Sequence, residues 1–394
     1  MQAGETILTG VKPTGAPHIG NYVGAIRPAL ELAKSHKRSF LFIADYHALN
    51  AVNDPETLRR DTYEVAACWL ALGLNHEKTI FYRQSDIPEI QEITTILTAV
   101  TPKGLMDRSH AYKAAVDKNV TENRDPDADV NMGLYTYPIL MAADILSMQA
   151  DIVPVGRDQI QHIEFTRDIA GYFNRTFKIA SPNFQLKSPI GMTAISKIGA
   201  DGNIEGGVLP GIDGRKMSKS YGNHIPVFLD SESRRKLVMK IVTNSQRPEE
   251  PKNPDENYIY QIYRQIADPL DVISMRNAFV HGGLGYGEAK KMLLEVLEKK
   301  FQEPTQIYKG LMADTKKIDK LLASGSEQAR IVARATLSTM REVIGLTKPE
   351  PLVAKKWIVM AKKWHNRVVK EAAVKSKRKA PSSKHSKHQV KKRA

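Results

Sequence analysis

Hydrophobic positions in the first half of the chain alternate between two periods. Short β-branched and aromatic runs at 6–9, 39–44, 79–82 and 151–155 read as strands. Between them, 21–36, 55–74, 88–100 and 134–148 carry apolar residues at helical spacing, several behind Asp or Pro start signals. This alternation predicts βαβ units, hence an α/β fold with a parallel sheet and a ligand crevice at the carboxyl ends of its strands. After about Pro226 the strand pattern stops. Segments 231–243, 256–267, 287–301, 305–323 and 327–344 are amphipathic with Gly or Pro between them, which predicts consecutive helices. The expected organisation is a parallel-sheet domain over 1–225, a helical domain over 226–348 and, beyond the hinge Pro349-Glu-Pro351, a basic segment over 352–394. No internal repeat is present.

Charge changes this picture only at the C-terminus. The net charge is +15, but 15 of the 58 Lys/Arg residues lie from Leu352 on, beside one acidic residue, Glu371. The preceding 351 residues hold 43 basic and 42 acidic groups and are almost neutral. A neutral body with a basic appendage predicts attraction to a polyanion through the appendage. Up to about Val374 that appendage has helix-forming composition, with Trp357 and Trp364 two turns apart; Lys375 onward is Lys/Ser/His low complexity, for which disorder is expected when unbound. The single cysteine, Cys68, excludes an internal disulfide, and the opening residues lack a secretory pattern. The longest apolar stretch, 134–148, is interrupted by Asp144 and falls short of the ~18 uncharged residues of a membrane span. A cytoplasmic protein with no membrane span is expected.

Candidate chemistry begins in Gly10-Val-Lys-Pro-Thr-Gly-Ala-Pro-His-Ile-Gly-Asn21, directly after the first strand. Gly15 and Gly20 allow close backbone approach, and the helix start offers free N–H groups to phosphate. His18 and Asn21 are one turn apart and can face one ligand; a simple glycine-bounded, capped turn is the alternative. A second element, Asp213-Gly-Arg-Lys-Met-Ser-Lys-Ser-Tyr-Gly-Asn223, sets Lys216 to Ser220 between glycines as a mobile loop. Its two ammonium groups and two hydroxyls could reach a triphosphate. Between these elements, Tyr137, Met141 and Asp144 are spaced i, i+4, i+7 on one helix face. A carboxylate in so apolar a helix needs a donor, either from the protein itself or from a ligand such as an indole N–H.

The motifs at His18 to Asn21 and Lys216 to Ser220 together resemble the HIGH and KMSKS signatures of class I aminoacyl-tRNA synthetases. Residues 137–146, with Val153-Pro-Val-Gly-Arg-Asp-Gln159 and the stretch to Asp168, are similar to the tryptophanyl-tRNA synthetase family. The resemblance covers about 7–170, resumes at the loop and fades in the helical region. It implies a Rossmann-type catalytic domain, ATP and L-tryptophan as substrates, Mg²⁺ carried on the phosphates with no metal held by the protein, tRNA(Trp) as acceptor, and a homodimer. By resemblance, Met141 and Asp144 contact the indole, while Tyr137 and Gln159 contact the amino end of the substrate. Lys12, Pro13, Thr14, Gly20 and Asn21 fall on the first ATP segments, Gly156, Arg157 and Asp158 on the ribose–adenine segment, and Val208 near the adenine. In the loop, Lys216, Met217, Ser218, Lys219 and Ser220 contact ATP, and Lys216, Lys219, His18 and Asn21 are the expected catalytic set. Lys12 and Tyr221-Gly222 differ from the Gln and Asp-Pro of the best-known bacterial members, and with the basic extension they mark a divergent branch.

Three rival readings remain weaker. A tyrosyl-type enzyme is disfavoured by Met141, where Gln is usual. A nucleotidyltransferase with an HxGH element would lack the loop and the trailing helices. A regulatory RNA-binding descendant would be expected to have lost Lys216, Lys219, His18 or Asn21. Cys68 and Trp69 read as core, and His110 and His162 lack the neighbours of a zinc site. His47, after the second strand, is either pocket-lining or structural.

Overall fold

The structure is a computed structural model that describes residues 5–36, 38–156, 159–177, 186–187, 190–193 and 209–346. The basic segment over 352–394, with its expected helix, and the candidate residues Arg157, Asp158 and Val208 lie outside the described residues. Five parallel strands, β1 (Thr6–Val11), β2 (Arg38–Ile43), β3 (Thr79–Arg83), β4 (Ile152–Val155) and β5 (Ile190–Thr193), form one sheet in the order β3-β2-β1-β4-β5. The chain winds outward from β1 to β2 and β3, then crosses back to place β4 on the other side of β1. The reversal opens a crevice above the carboxyl ends of β1 and β4, as in other doubly wound sheets. Continuous burial of Phe40 to Ile43 in β2 reflects helices on both faces.

The strands and first helices follow the sequence pattern closely. Pro55 opens the helix Pro55–Ala71, and the Asp54 carboxylate caps it by accepting from the Thr57 N–H at 2.9 Å. β5 and the helices His110–Thr121, Ile160–Phe177 and Pro269–Val280 have no counterpart in the pattern reading.

Two expected helix breaks are absent. Tyr286–Ala313 runs through Pro304, and Thr315–Val343 runs through Gly325. Leu293, Leu297, Phe301 and Thr305, all buried at four-residue spacing, hold the first helix in register across the proline. Burying several such side chains outweighs the ~3 kcal/mol cost of an interior proline. Gly325 is a contact rather than a break, because a Cβ there would lie 1.8 Å from the Phe81 carbonyl oxygen. The helix thus lies directly against the β3 backbone, and its later residues Ala329, Ala333, Leu337 and Met340 share a core with Phe40, Tyr82 and Ile145. A second core joins residues 19–30 and the helix Pro55–Ala71 to Tyr286–Ala313, with the Tyr22 and Phe301 rings edge to face at 5.1 Å. No helix among the described residues is long and apolar enough to cross a membrane.

Candidate active site

A cavity of about 420 Å³ occupies the crevice between β1 and β4. Its walls bring together residues far apart in sequence: Lys12 at the end of β1, His47 after β2, Tyr137, Met141 and Asp144 on the helix Met132–Ser147, and Gly156 and Gln159 after β4. Gly10 is needed because a Cβ would sit 2.6 Å from the Phe42 ring, which forms part of the same wall. The helix from Ile19 loosens into a π-helical turn over Tyr22–Ile26 where Gly24 and Ala25 face the cavity. Trp69, expected as core, is buried and also lines this space.

Asp144 is wholly buried in the last turn of its helix, where the negative dipole end disfavours a carboxylate. Both donor sources considered from sequence remain compatible with what is found. His47 Nε2 lies 2.9 Å from Asp144 Oδ2, and Gln84 Nε2 lies 2.8 Å from each carboxylate oxygen. Burial pushes the Asp144 pKa up, and the His47 and Gln84 hydrogen bonds pull against that. Gln84, immediately after β3, was missed by sequence reasoning; a polar residue at the carboxyl end of a sheet strand was the available signal. On the same helix, the Tyr137 hydroxyl lies 2.9 Å from His162 Nε2, and burial raises its pKa.

The first signature is both a helix cap and a candidate site. His18 Nδ1 accepts the Asn21 N–H at 3.2 Å, and Asn21 Oδ1 accepts the His18 N–H at 3.1 Å. Burial, then the charges of His224, Lys219 and Lys216, lower the His18 pKa to about 4. With Nδ1 used as an acceptor, the neutral ring carries its proton on Nε2, a donor suited to an anionic oxygen. His18 should therefore stay uncharged from pH 5.5 to 8, and the stability it contributes, complete above its unfolded value near 6.5, should be lost as pH falls toward 4. An imidazole resonance of His18 titrating near 6.5 would overturn this.

The second signature lies against the first. Val227 N–H donates to the Pro17 carbonyl at 3.0 Å and Ile19 N–H to the Ile225 carbonyl at 2.9 Å. The loop expected to be mobile is pinned at two points. Met217 is buried in the core, and buried Asn223 accepts the Ser218 N–H at 2.9 Å while donating to Asp213 at 2.7 Å and to the Lys216 carbonyl at 3.0 Å. Lys216 and Ser220 remain exposed. Lys219 Nζ crosses to the Thr14 carbonyl at 2.6 Å, over Gly15, whose φ of +75° only glycine adopts readily. Burial lowers the Lys219 pKa, and the charges of Asp61 and Glu64 oppose the shift. Gly20 packs under the His18 ring, while Pro13 is buried and Thr14 and Asn21 are exposed on the same rim. A buried acceptor in an apolar cavity beside a rim of lysines, hydroxyls and helix N–H groups can hold a flat N–H-bearing group and a polyphosphate together.

Comparison with known proteins identifies the family. The family model for class I tRNA synthetases (W and Y) matches residues 3–302. The tryptophan–tRNA ligase of Neisseria meningitidis is 47% identical over 342 residues, covering 86% of this chain and 97% of that protein. That of Pseudomonas aeruginosa is 47% identical over 348 residues, covering 88% of this chain and 75% of that protein. The crystal structure of Campylobacter jejuni tryptophanyl-tRNA synthetase with ADP and tryptophan superposes with a TM-score of 0.74 at 36% identity, over 86% of this chain and 100% of that one. The chain therefore belongs to the class I tRNA synthetases and, within them, to the tryptophan–tRNA ligases.

Proposed function

We propose that the cavity between β1 and β4 binds L-tryptophan and that the rim formed by the two signatures binds ATP, so that the enzyme makes tryptophanyl-adenylate there. A tryptophan carboxylate oxygen attacks the α-phosphorus in line, the bond to the bridging oxygen breaks, and pyrophosphate leaves. The 2′-hydroxyl of the terminal adenosine of tRNA(Trp) then takes the acyl group and AMP departs. The observation that carries this reading is Asp144, a fully buried acceptor on the wall of an otherwise largely apolar cavity. An indole N–H is a donor only and suits it. Met141 frames the ring, Tyr137 and Gln159 meet the amino end, and Lys12, the Lys/Arg cation among the described cavity residues, faces the substrate carboxylate.

No protein nucleophile is needed. The work is positioning, and stabilisation of charge moving onto pyrophosphate, as in other phosphoryl-transfer sites. Lys216 and Lys219 supply that stabilisation, His18 donates from Nε2, Ser218 and Ser220 bond phosphate oxygens, and Asn21 holds the His18 turn. Lys12, Pro13, Thr14 and Gly20 shape the phosphate approach; Gly156 receives the ribose, and the family resemblance assigns Arg157 and Asp158 to the ribose–adenine segment and Val208 to the adenine. The Glu64 carboxylate accepts the Ala16 N–H at 2.7 Å and, with Asp61, balances Lys219 on the same rim, while Mg²⁺ would arrive on ATP and neutralise part of its charge. Pyrophosphate exchange into ATP, run with each amino acid separately and without tRNA, should proceed with tryptophan alone. Absence of exchange with tryptophan would overturn the proposal.

The basic segment adds sequence-independent affinity for tRNA. Deleting 352–394 should flatten the salt dependence of tRNA binding, each lost phosphate contact removing roughly 0.7 to 0.9 from the log–log slope. An unchanged slope would assign the segment to another partner. We further place the enzyme in the cytoplasm as a homodimer, in keeping with its family and with a single, buried cysteine that suits a reducing compartment.

A further inference from the structure

Resting on the assignment of Asp144 to the indole, we infer that Gln84 is a positioning residue for tryptophan selectivity: it holds Asp144 as an acceptor and leaves Oδ1 as the oxygen that meets the indole N–H. The argument starts from the amide itself. Gln84 is completely buried, and its Oε1 accepts the Tyr46 N–H at 3.1 Å, at the start of the short helix Asp45–Ala48. That bond fixes which way the amide faces, so the NH₂ group is the end turned to Asp144, 2.8 Å from both carboxylate oxygens. Asp144 Oδ2 also has His47 Nε2 at 2.9 Å and thus faces two donors. Oδ1 has only its share of the Gln84 donor from these two side chains, and a carboxylate oxygen has two lone pairs. Acceptor capacity for a ligand therefore remains on Oδ1.

Gln84 is itself held from outside the cavity. Its neighbour Arg83 pairs with Asp86 at 3.0 Å and reaches Asp319 at 3.3 Å, while Ser326 donates to Asp86 at 3.1 Å. The strand end that carries Gln84 is therefore tied to the helix Thr315–Val343. Two donors aimed at one carboxylate favour its charged form against desolvation. The other titratable groups around Asp144 are Asp45 beside His47, Tyr82 on β3, and Tyr137 on the Asp144 helix, whose ring lies 6.4 Å from that of His47.

The test compares L-tryptophan with its sulfur isostere, benzothienylalanine, which keeps the shape of the ring but has no N–H. Pyrophosphate exchange gives kcat/KM for each amino acid with the parent enzyme, Gln84→Met and Asp144→Asn. Gln84→Met should lower the tryptophan-to-isostere ratio by about tenfold or more, chiefly through KM for tryptophan, because it keeps the volume but removes the donor. A parent-like ratio in Gln84→Met, with collapse of the ratio in Asp144→Asn, would overturn the inference and leave the assignment of Asp144 standing. Parent-like ratios in both variants would overturn both.

Gln84→Glu gives a second readout that decides the matter even if the methionine variant does not fold. Two carboxyl groups at this distance must share a proton, so the donor to Asp144 exists only while that proton is bound. For this variant, kcat/KM for tryptophan should fall as pH rises from about 6 to about 9, a limb absent from the parent enzyme and from the isostere. A profile parallel to that of the parent would overturn the inference.

Discussion

Replacing Lys219 with alanine should lower kcat for adenylate formation by about 10²- to 10³-fold, the range seen when one preorganised donor to developing charge is removed. Tryptophan binding should change only a few-fold, because the lysine lies at the nucleotide rim rather than in the cavity. The structure adds a reason for the size of the effect. Lys219 Nζ reaches the Thr14 carbonyl at 2.6 Å, so the side chain proposed to stabilise the leaving pyrophosphate also bridges the two signature segments. Burial lowers its pKa, and the charges of Asp61 and Glu64 oppose that shift. Single-turnover formation of tryptophanyl-adenylate at saturating tryptophan and ATP checks the prediction. A rate within a few-fold of the parent would remove Lys219 from the mechanism.

Asp144→Asn should erode selection of tryptophan over phenylalanine from the order of 10⁴ toward the 10–200-fold that shape alone supplies. A site built to pair a buried acceptor with a substrate N–H rejects analogues lacking it, because the acceptor is then left unmatched. In asparagine, one of the two oxygens becomes an NH₂ group that faces Gln84 Nε2, 2.8 Å from both positions, and beside it either His47 Nε2 or the ligand. Neither placement preserves the parent pairing. The ratio of kcat/KM for tryptophan to that for phenylalanine is the readout, and an unaltered ratio would refute the role of Asp144.

Much of this was legible before any coordinates. The strands β1 to β4 and the helices Arg27–Ser35, Pro55–Ala71, Glu89–Val100 and Met132–Ser147 are local events, written by apolar periodicity and by start signals such as Asp54-Pro55. The two signatures are contiguous, so their glycines, lysines and hydroxyls stand out in the sequence. Tyr137, Met141 and Asp144 share one helix face at sequence spacing alone, and the structure places all three on the cavity wall. The helix breaks expected at Pro304 and Gly325 failed for a non-local reason. Buried side chains on either side of Pro304 hold one helix together, and a β-strand backbone, not a turn, demands the glycine of the other.

The sequence by itself determined the α/β class, the order of β1 to β4, the two signature motifs and the acidic residue at the heart of the specificity reading. Each depends on residues within a few turns of one another, where spacing is equivalent to geometry. Only the tertiary structure decided that Lys219 meets Thr14 across 205 positions, that Gln84 and His47 converge on Asp144 from 60 and 97 positions away, and that Thr315–Val343 returns to brace β3. Such contacts arise where a parallel sheet reverses its winding and gathers the ends of distant strands, and no local pattern along the chain encodes which side chains meet there.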